Sequence, residues 1–440
     1  MITNNPLLDI IREQKSGKAS GIASLCTANE WVIRAAMEHF KNTDQPLLIE
    51  ATANQVNQYG GYTGMKPSDY RDFALALAAE TGFPAQQLIL GGDHLGPLTW
   101  KDKPAAEAME EAHVLIRDFI LAGFTKIHLD TSMALGDDNP DAPLDTSLIA
   151  KRGAELAQTA EHAYAELLTR TPNAMPPVYI VGSEVPIPGG AQSEDDGLHV
   201  TTATDFLTTV ETFRAAYAAL NLDTAWSRVI AVVVQPGVEF GDESIHAYDR
   251  KAAKMLCAAG KAQTQLVFEG HSTDYQTPQA LKNMVEDGIA ILKVGPALTF
   301  AVREALFSLN LIEQELFRYT PEIRQSNFMA TLDEAMLRRP GNWKSHYHGN
   351  PAKIRLSRKF SFSDRARYDL PDPEVQESLD LLLGNLSATT IPLTLLSQFM
   401  PLQYQHVRAG KIKAQADALL KDRVLDCLQD YIFATQVQAQ

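Results

Sequence analysis

Short apolar runs alternate with longer stretches of helical periodicity through the first two thirds of the chain. The runs are IASLC (22–26), PLLIEA (46–51), QLILGG (87–92), KIHLD (126–130), VYIVGSE (178–184), RVIAVVVQ (228–235), QLVFEG (265–270) and AILKVG (290–295). Most are rich in Val, Ile or Leu, which predicts strands buried on both faces, as in a parallel sheet. Between them, segments such as EWVIRAAMEHF, PSDYRDFALALAAE and TDFLTTVETFRAAYAAL place apolar residues at helical spacing. Eight strand–helix units over residues 20–310 predict an α/β chain of the (β/α)8 TIM-barrel class, entered through a short N-terminal helix. An open doubly wound sheet is the competing arrangement, but it favours a glycine-rich turn after the first strand. Here TANEW follows IASLC. The barrel is the better fit.

The alternation stops after Leu309. Residues 311–440 carry helical patterns (LIEQELFRY, TLDEAMLRR, PEVQESLDLLLGNL) between Pro-bounded turns. The predicted division is a barrel over 1–310 and a helical C-terminal extension over 311–440 packed on it. Within the extension, 338–368 holds nine Lys or Arg against one acidic residue, Asp364. Two readings of that segment stand: a solvated face, or a strap that folds over an active site to meet phosphate or docks on an acidic partner.

Of the 440 residues, 45% are hydrophobic and 21% charged, which excludes disordered, collagen-like and coiled-coil chains. The 39 Lys and Arg face 54 Asp and Glu, a net charge of −15 that argues against general binding to nucleic acid or an anionic membrane. Cys26, Cys257 and Cys427 are too scattered for a disulfide framework or a cysteine zinc site. No run reaches the roughly 18 apolar residues of a membrane span. The N-terminus has acidic residues and no unbroken apolar stretch, so no signal peptide is expected and the chain reads as cytoplasmic.

Barrel chemistry sits at the C-terminal ends of the strands, and here those ends are polar. They bring Glu50 (second strand), Asp93 and His94 (third), His128 and Asp130 (fourth), Glu184 (fifth), Gln235 (sixth), Glu269, His271, Ser272 and Asp274 (seventh) and Lys293 (eighth). Each alone has a structural explanation. The charged and imidazole groups among them, from six of eight strands, are together costly to bury without a purpose. His94, Glu184 and His271 make a candidate divalent-metal site, zinc foremost, with Asp93 as proton donor or acceptor beside it. Lys293 admits a Schiff-base role, but an ion pair with Glu269 or another rim carboxylate is favoured. The loops Gly270–Thr273 and Gly295–Thr299 are candidate phosphate sites because a helix start lies behind them. The predicted phosphate and substrate contacts are Ser272, Thr273, Asp274, Gly295, Lys293, Glu50, Asp130 and Gln235. The turn QYGGYTGM (58–65) is a candidate lid over a sugar. GxxxxGK[ST] is absent, which lowers a P-loop kinase reading.

The blocks IEATANQVNQYGGYTGM, LILGGDHLGP, GFTKIHLDTSM, VGSEVPIPGG, VVVQPGVEF, HSTDYQTP and AILKVGPALTFAVREALFSL resemble those of the Z subunits of D-tagatose-1,6-bisphosphate aldolase, the GatZ/KbaZ family. The likeness continues through WKSHYHG, FSDRARY and IPLTLLSQFMPLQY in the tail. The resemblance implies a TIM barrel of galactitol or N-acetylgalactosamine catabolism that lacks aldolase activity alone. Such subunits are required for the full activity and stability of a class II aldolase partner, the Y subunit. Labels of tagatose-6-phosphate kinase attach to the same family, though no residue here supports ATP chemistry. The family is more distantly similar to the class II aldolases, in which an Asp–His pair follows a central strand. Asp93 and His94 match that pair, and His271 in GHSTD matches a second metal histidine. A further histidine is expected near the end of the sixth strand, where this chain has Gln235; Glu184 is the candidate substitute. Two functions follow: an auxiliary aldolase subunit, or an independent metal-dependent aldolase or epimerase acting on ketoses or their phosphates.

Overall fold

The structure, a computed structural model, describes residues 5–139, 142–185, 198–387 and 389–436. The predicted runs form β1 (Ile22–Cys26), β2 (Leu47–Thr52), β3 (Leu88–Leu95), β4 (Lys126–Leu129), β5 (Val178–Val181) and β6 (Val229–Val234). A two-stranded hairpin follows, β7 (Glu239–Phe240) with β8 (Ile245–His246), and then β9 (Val267–Gly270) and β10 (Ile289–Val294). Except for the hairpin, all are parallel and close into one barrel in the order β1-β10-β9-β6-β5-β4-β3-β2. The helices before and between them are α1 (Leu7–Lys15), α2 (Glu30–Phe40), α3 (Pro67–Thr81), α4 (Ala105–Leu121), α5 (Thr146–Arg170), α6 (Ala203–Ala219), the single turn α7 (Asp223–Trp226), α8 (Lys254–Ala262) and α9 (Pro278–Glu286). The chain continues with α10 (Pro296–Phe317), α11 (Phe328–Arg338), α12 (Pro351–Phe360), α13 (Pro373–Ser387), α14 (Leu393–Phe399), α15 (Pro401–Arg408) and α16 (Ala416–Thr435). No helix among the described residues is long and apolar enough to cross a membrane.

Alternation along each strand sorts the side chains into two environments. In β4, Ile127 and Leu129 join the apolar layer beneath the helices, whereas Lys126 and His128 turn inward. The inward positions are graded along the barrel axis. At the N-terminal end Ile22, Leu48, Ile89, Val178, Ile230, Val267 and Ile291 form an apolar layer, closed from below by Leu7 and Ile11 of α1. Asn5 and Gln14 tie that plug down through the Thr125 and Val285 carbonyls. Higher up the inward positions become Glu50, Lys126, Glu269 and Lys293, all buried. Apolar filling stabilises the lower half, and charge occupies the upper half that faces the mouth.

The helical extension completes the barrel wall. α16 packs against β1, α2, α9 and α10, burying Leu419, Leu420, Val424, Leu428 and Tyr431. The Tyr431 hydroxyl donates to the Thr273 carbonyl at 2.9 Å, and Lys421 pairs with Glu38 of α2 at 2.9 Å. The expected 310/311 boundary falls inside α10, so wall and extension share one helix. Part of the basic run 338–368 is paired with carboxylates just outside it. Arg358 pairs with Asp333 at 2.7 Å, Arg338 with Glu374 at 2.8 Å and Arg339 with Asp372 at 2.7 Å.

Candidate metal centre at the barrel mouth

Adjacent strand residues ordinarily point to opposite faces, so Asp93 and His94 should not both reach the interior. They do so because the β3–β4 register slips between Gly92 and Leu95 and His94 adopts a φ of 46°. This irregularity re-aims the second side chain, as bulges at barrel rims do. His is among the residues that tolerate the left-handed region best. Ser272, at φ 52°, makes a similar departure past β9 and also lines the mouth cavity.

Three imidazoles meet there. The ring centroids of His94, His128 and His271 lie 4.9 to 5.2 Å apart. One ligand atom from each of them, and one from Asp93, all fall within 4.8 Å of one another, and all four residues are buried. Each ring commits one nitrogen to a carboxylate. His94 Nδ1 lies 2.8 Å from Asp130, His128 Nδ1 lies 3.0 Å from Asp93, and His271 Nε2 lies 2.9 Å from Glu269. His128 Nδ1 also accepts from the His94 backbone N–H at 3.2 Å; of the remaining ring nitrogens, His94 Nε2 lies 3.8 Å from Asp93 and His128 Nε2 is buried without a hydrogen-bond partner. Metal-binding histidines are commonly oriented in this way by carboxylates behind them.

A buried lattice of charge supports the rings. Lys126 contacts Glu50 and Glu269 at 2.7 Å each, all three side chains being fully buried. Lys293 pairs with Glu50 and, at 2.8 Å, with Asp93. Gly91 lets Glu50 reach across to Lys126, since a Cβ on it would lie 2.6 Å from the Glu50 carboxylate oxygen. Four carboxylates, Glu50, Asp93 and Glu269 against the lysines and Asp130 against His94, stand with only two ammonium groups, Lys126 and Lys293, leaving two negative charges uncompensated when the imidazoles are neutral. A divalent cation would cancel that excess, and three imidazoles with one carboxylate suit such an ion. The donor set fits.

The local fields agree. Burial opposes ionisation of Asp93, yet His94 and Lys293 hold its carboxyl well below the usual range. Burial likewise opposes a charged Lys293, but Asp93 and Glu50 carry it well above an ordinary lysine. His94 overcomes burial through Asp93 and Asp130 and is raised, while burial dominates at His271 and lowers it to about 3. Lys293 is thus a strongly protonated ion-pair member, the opposite of a Schiff-base lysine, which needs a depressed pKa.

The other predicted residues divide. Ser272, Asp274, Lys293 and Gly295 line the same cavity, of about 710 Å³ including its mouth, with Asp93, His94 and His271. Glu50 and Asp130 stand behind it as supports. Glu184 does not join the histidines: its side chain is exposed and accepts a hydrogen bond from the Thr201 hydroxyl. It faces a separate cavity together with Gln235, whose amide oxygen accepts from the Gly237 and Val238 N–H groups. The third member of the cluster with His94 and His271 is His128, supplied by β4. Thr273 is also turned away, its hydroxyl donating to the Lys293 carbonyl at 2.6 Å.

The predicted phosphate loop holds an anion of its own. Asp274 accepts from Gly295 N–H at 3.0 Å and Ala297 N–H at 2.8 Å, at the start of α10 where a phosphate was expected. Burial raises its carboxyl to about 6 despite those two bonds. A raised folded-state pKa stabilises the protein below the unfolded value near 4, and that contribution is lost as pH rises through about 6. The Asp274→Asn variant, which keeps an acceptor for the amides, should melt with a flatter pH profile than the wild type between pH 4 and 7.

Two mouth residues come from elements not predicted to meet. Tyr62 from the turn after β2 and Tyr368 from the extension touch edge to face at 4.6 Å between centroids, and Arg367 lies beside them in the same cavity. Lys126 and His128 were legible in KIHLD, where Lys126, His128 and Asp130 alternate on one face of the strand.

With this geometry in view, three comparisons bear on the chain. Residues 7–436 match the family profile described as D-tagatose-1,6-bisphosphate aldolase subunit GatZ/KbaZ-like. Among curated relatives, the D-tagatose-1,6-bisphosphate aldolase subunit GatZ of Klebsiella pneumoniae is 48% identical, covering 96% of this chain and 97% of that one. The same-named protein of Salmonella newport is 47% identical over 97% and 98%. A solved structure described as a probable tagatose 6 phosphate kinase from Sinorhizobium meliloti 1021 superposes with a TM-score of 0.85 at 45% identity, covering 94% of this chain and 100% of that one. Near-complete coverage at such identity leaves one conclusion: the chain belongs to the D-tagatose-1,6-bisphosphate aldolase subunit GatZ/KbaZ-like family.

Proposed function

We propose that this chain is an auxiliary subunit of a class II D-tagatose-1,6-bisphosphate aldolase, acting in the cytoplasm in galactitol or N-acetylgalactosamine catabolism. Its role is to stabilise, and bring to full activity, a separate catalytic Y subunit. The observation that carries this is the 48% identity over 96% of the chain with a relative named as that subunit. The relatives' names favour it over an independent ketose enzyme. Co-expression tests it: the Y subunit should show a longer half-life and higher specific activity with this chain than without. Equal half-life and activity in both arms would overturn it.

The mouth belongs to the same proposal, as a site for a divalent ion, zinc foremost, and a sugar phosphate. His94, His128 and His271 are the ligands, with Asp93 at their edge. An ion held there would supply a Lewis acid for a carbonyl or enediolate oxygen. Asp130 and Glu269 fix the rings of His94 and His271. Lys293 keeps Asp93 ionised, so Asp93 can accept a hydrogen bond from a bound hydroxyl. Tyr62 and Tyr368 stand in contact in the wall of the same cavity.

A further inference from the structure

The amides that most often hold phosphate in this fold, those after the last strands, are taken by Asp274. An anionic ligand entering the mouth must find its positive partner elsewhere. Arg367 supplies one. Its guanidinium bonds the Ser363 and Asp364 carbonyls at 2.5 and 2.9 Å and the Tyr368 hydroxyl at 3.3 Å. These contacts leave N–H donors of the five-donor fork unused. Among the described residues no carboxylate lies within ion-pair distance of it, whereas its neighbour Arg303 is paired with Asp364 at 2.7 Å. Arg367 is only partly exposed and lines two adjoining cavities, the one holding the histidines and a second beside it. Tyr62 and Thr299 share both walls with it. Position and charge are held by the carbonyls, so the fork is fixed before any ligand arrives.

We propose that Arg367, with the Tyr62 and Tyr368 hydroxyls beside it, is the anion subsite of this mouth and takes the phosphate monoester of a ketose phosphate whose oxygens face His94 and Asp93. The inference rests on the reading of the mouth as a sugar-phosphate site. It assigns the phosphate to the C-terminal extension, not to the loops after β9 and β10. A planar fork matches phosphate oxygens in pairs, which a lysine cannot reproduce.

The test is calorimetric titration of the full-length chain with D-tagatose 6-phosphate, inorganic phosphate and D-tagatose. The wild type should bind the sugar phosphate more tightly than the free sugar. Arg367→Gln should weaken the sugar phosphate by about tenfold or more, as loss of a charge-assisted contact does, and leave D-tagatose within about twofold. Arg367→Lys should recover only part of the loss. If Arg367→Gln does not fold, Tyr368→Phe should still weaken the sugar phosphate selectively, by about threefold. Sugar phosphate binding unchanged in the Arg367 and Tyr368 variants, or equal affinity of the wild type for phosphorylated and free sugar, would overturn the subsite. The co-expression assay separates the two proposals. Unchanged ligand binding with an intact effect on the Y subunit sinks the subsite alone, and the converse pattern sinks the subunit reading alone.

Discussion

Replacing Lys126 by methionine is expected to destabilise the barrel by about 3–5 kcal/mol, the usual cost of removing one partner from a buried ion pair. Lys126 has no exposed side-chain surface and is shared by Glu50 and Glu269, which have none either. The methionine fills similar volume, so lost packing contributes little. What remains is two buried carboxylates, with Lys293 and His271 as their only described counter-groups. Thermal unfolding of the purified variant measures the loss. A double variant, Lys126→Met with Glu269→Gln, should recover a large part of it, because the amide carries no charge to strand. Equal stability of the two variants would show that the cost lies in shape and not in charge.

Truncation after residue 415 should do more. It removes α16 and exposes the apolar faces of α2, α9 and α10. Leu419, Leu420, Val424, Leu428 and Tyr431 are all at most 2% exposed. Large buried side chains are worth about 2–5 kcal/mol each, so their joint loss exceeds the whole stability of an ordinary domain. The truncated chain should be insoluble or molten, read by its solubility and near-ultraviolet circular dichroism. A folded barrel from residues 1–415 would mean the extension is an ornament on a self-sufficient wall.

Much of this was legible in the sequence because the strands obey a simple rule. IASLC and VYIV are apolar at nearly every position, as strands buried on both faces must be, and KIHLD adds an alternation of polar residues that marks the barrel interior. The rim chemistry was legible as a set, since charge at strand ends has a desolvation cost that demands partners. Partner choice within the set was not. Strand-end position says that Glu184 and His128 both lie near the mouth, but which of them meets His271 depends on strand order and stagger around the closed ring. Asp274 shows a second limit. Local sequence places small residues and a helix start at 295–299, and only the fold shows that a carboxylate twenty residues upstream already accepts from those amides. Arg367 and α16 come from beyond the last strand, where helical periodicity fixes the element and not its docking site.

The central claim is that the barrel gathers His94, His128 and His271 into one ion site backed by carboxylates. Zinc titration of the full-length chain, freed of metal by chelator and followed by calorimetry, tests it most directly. One equivalent should bind per chain in the wild type, and His128→Ala and His271→Ala should each abolish that binding while retaining native circular dichroism. No binding by the wild type, or full binding by both variants, would contradict the account.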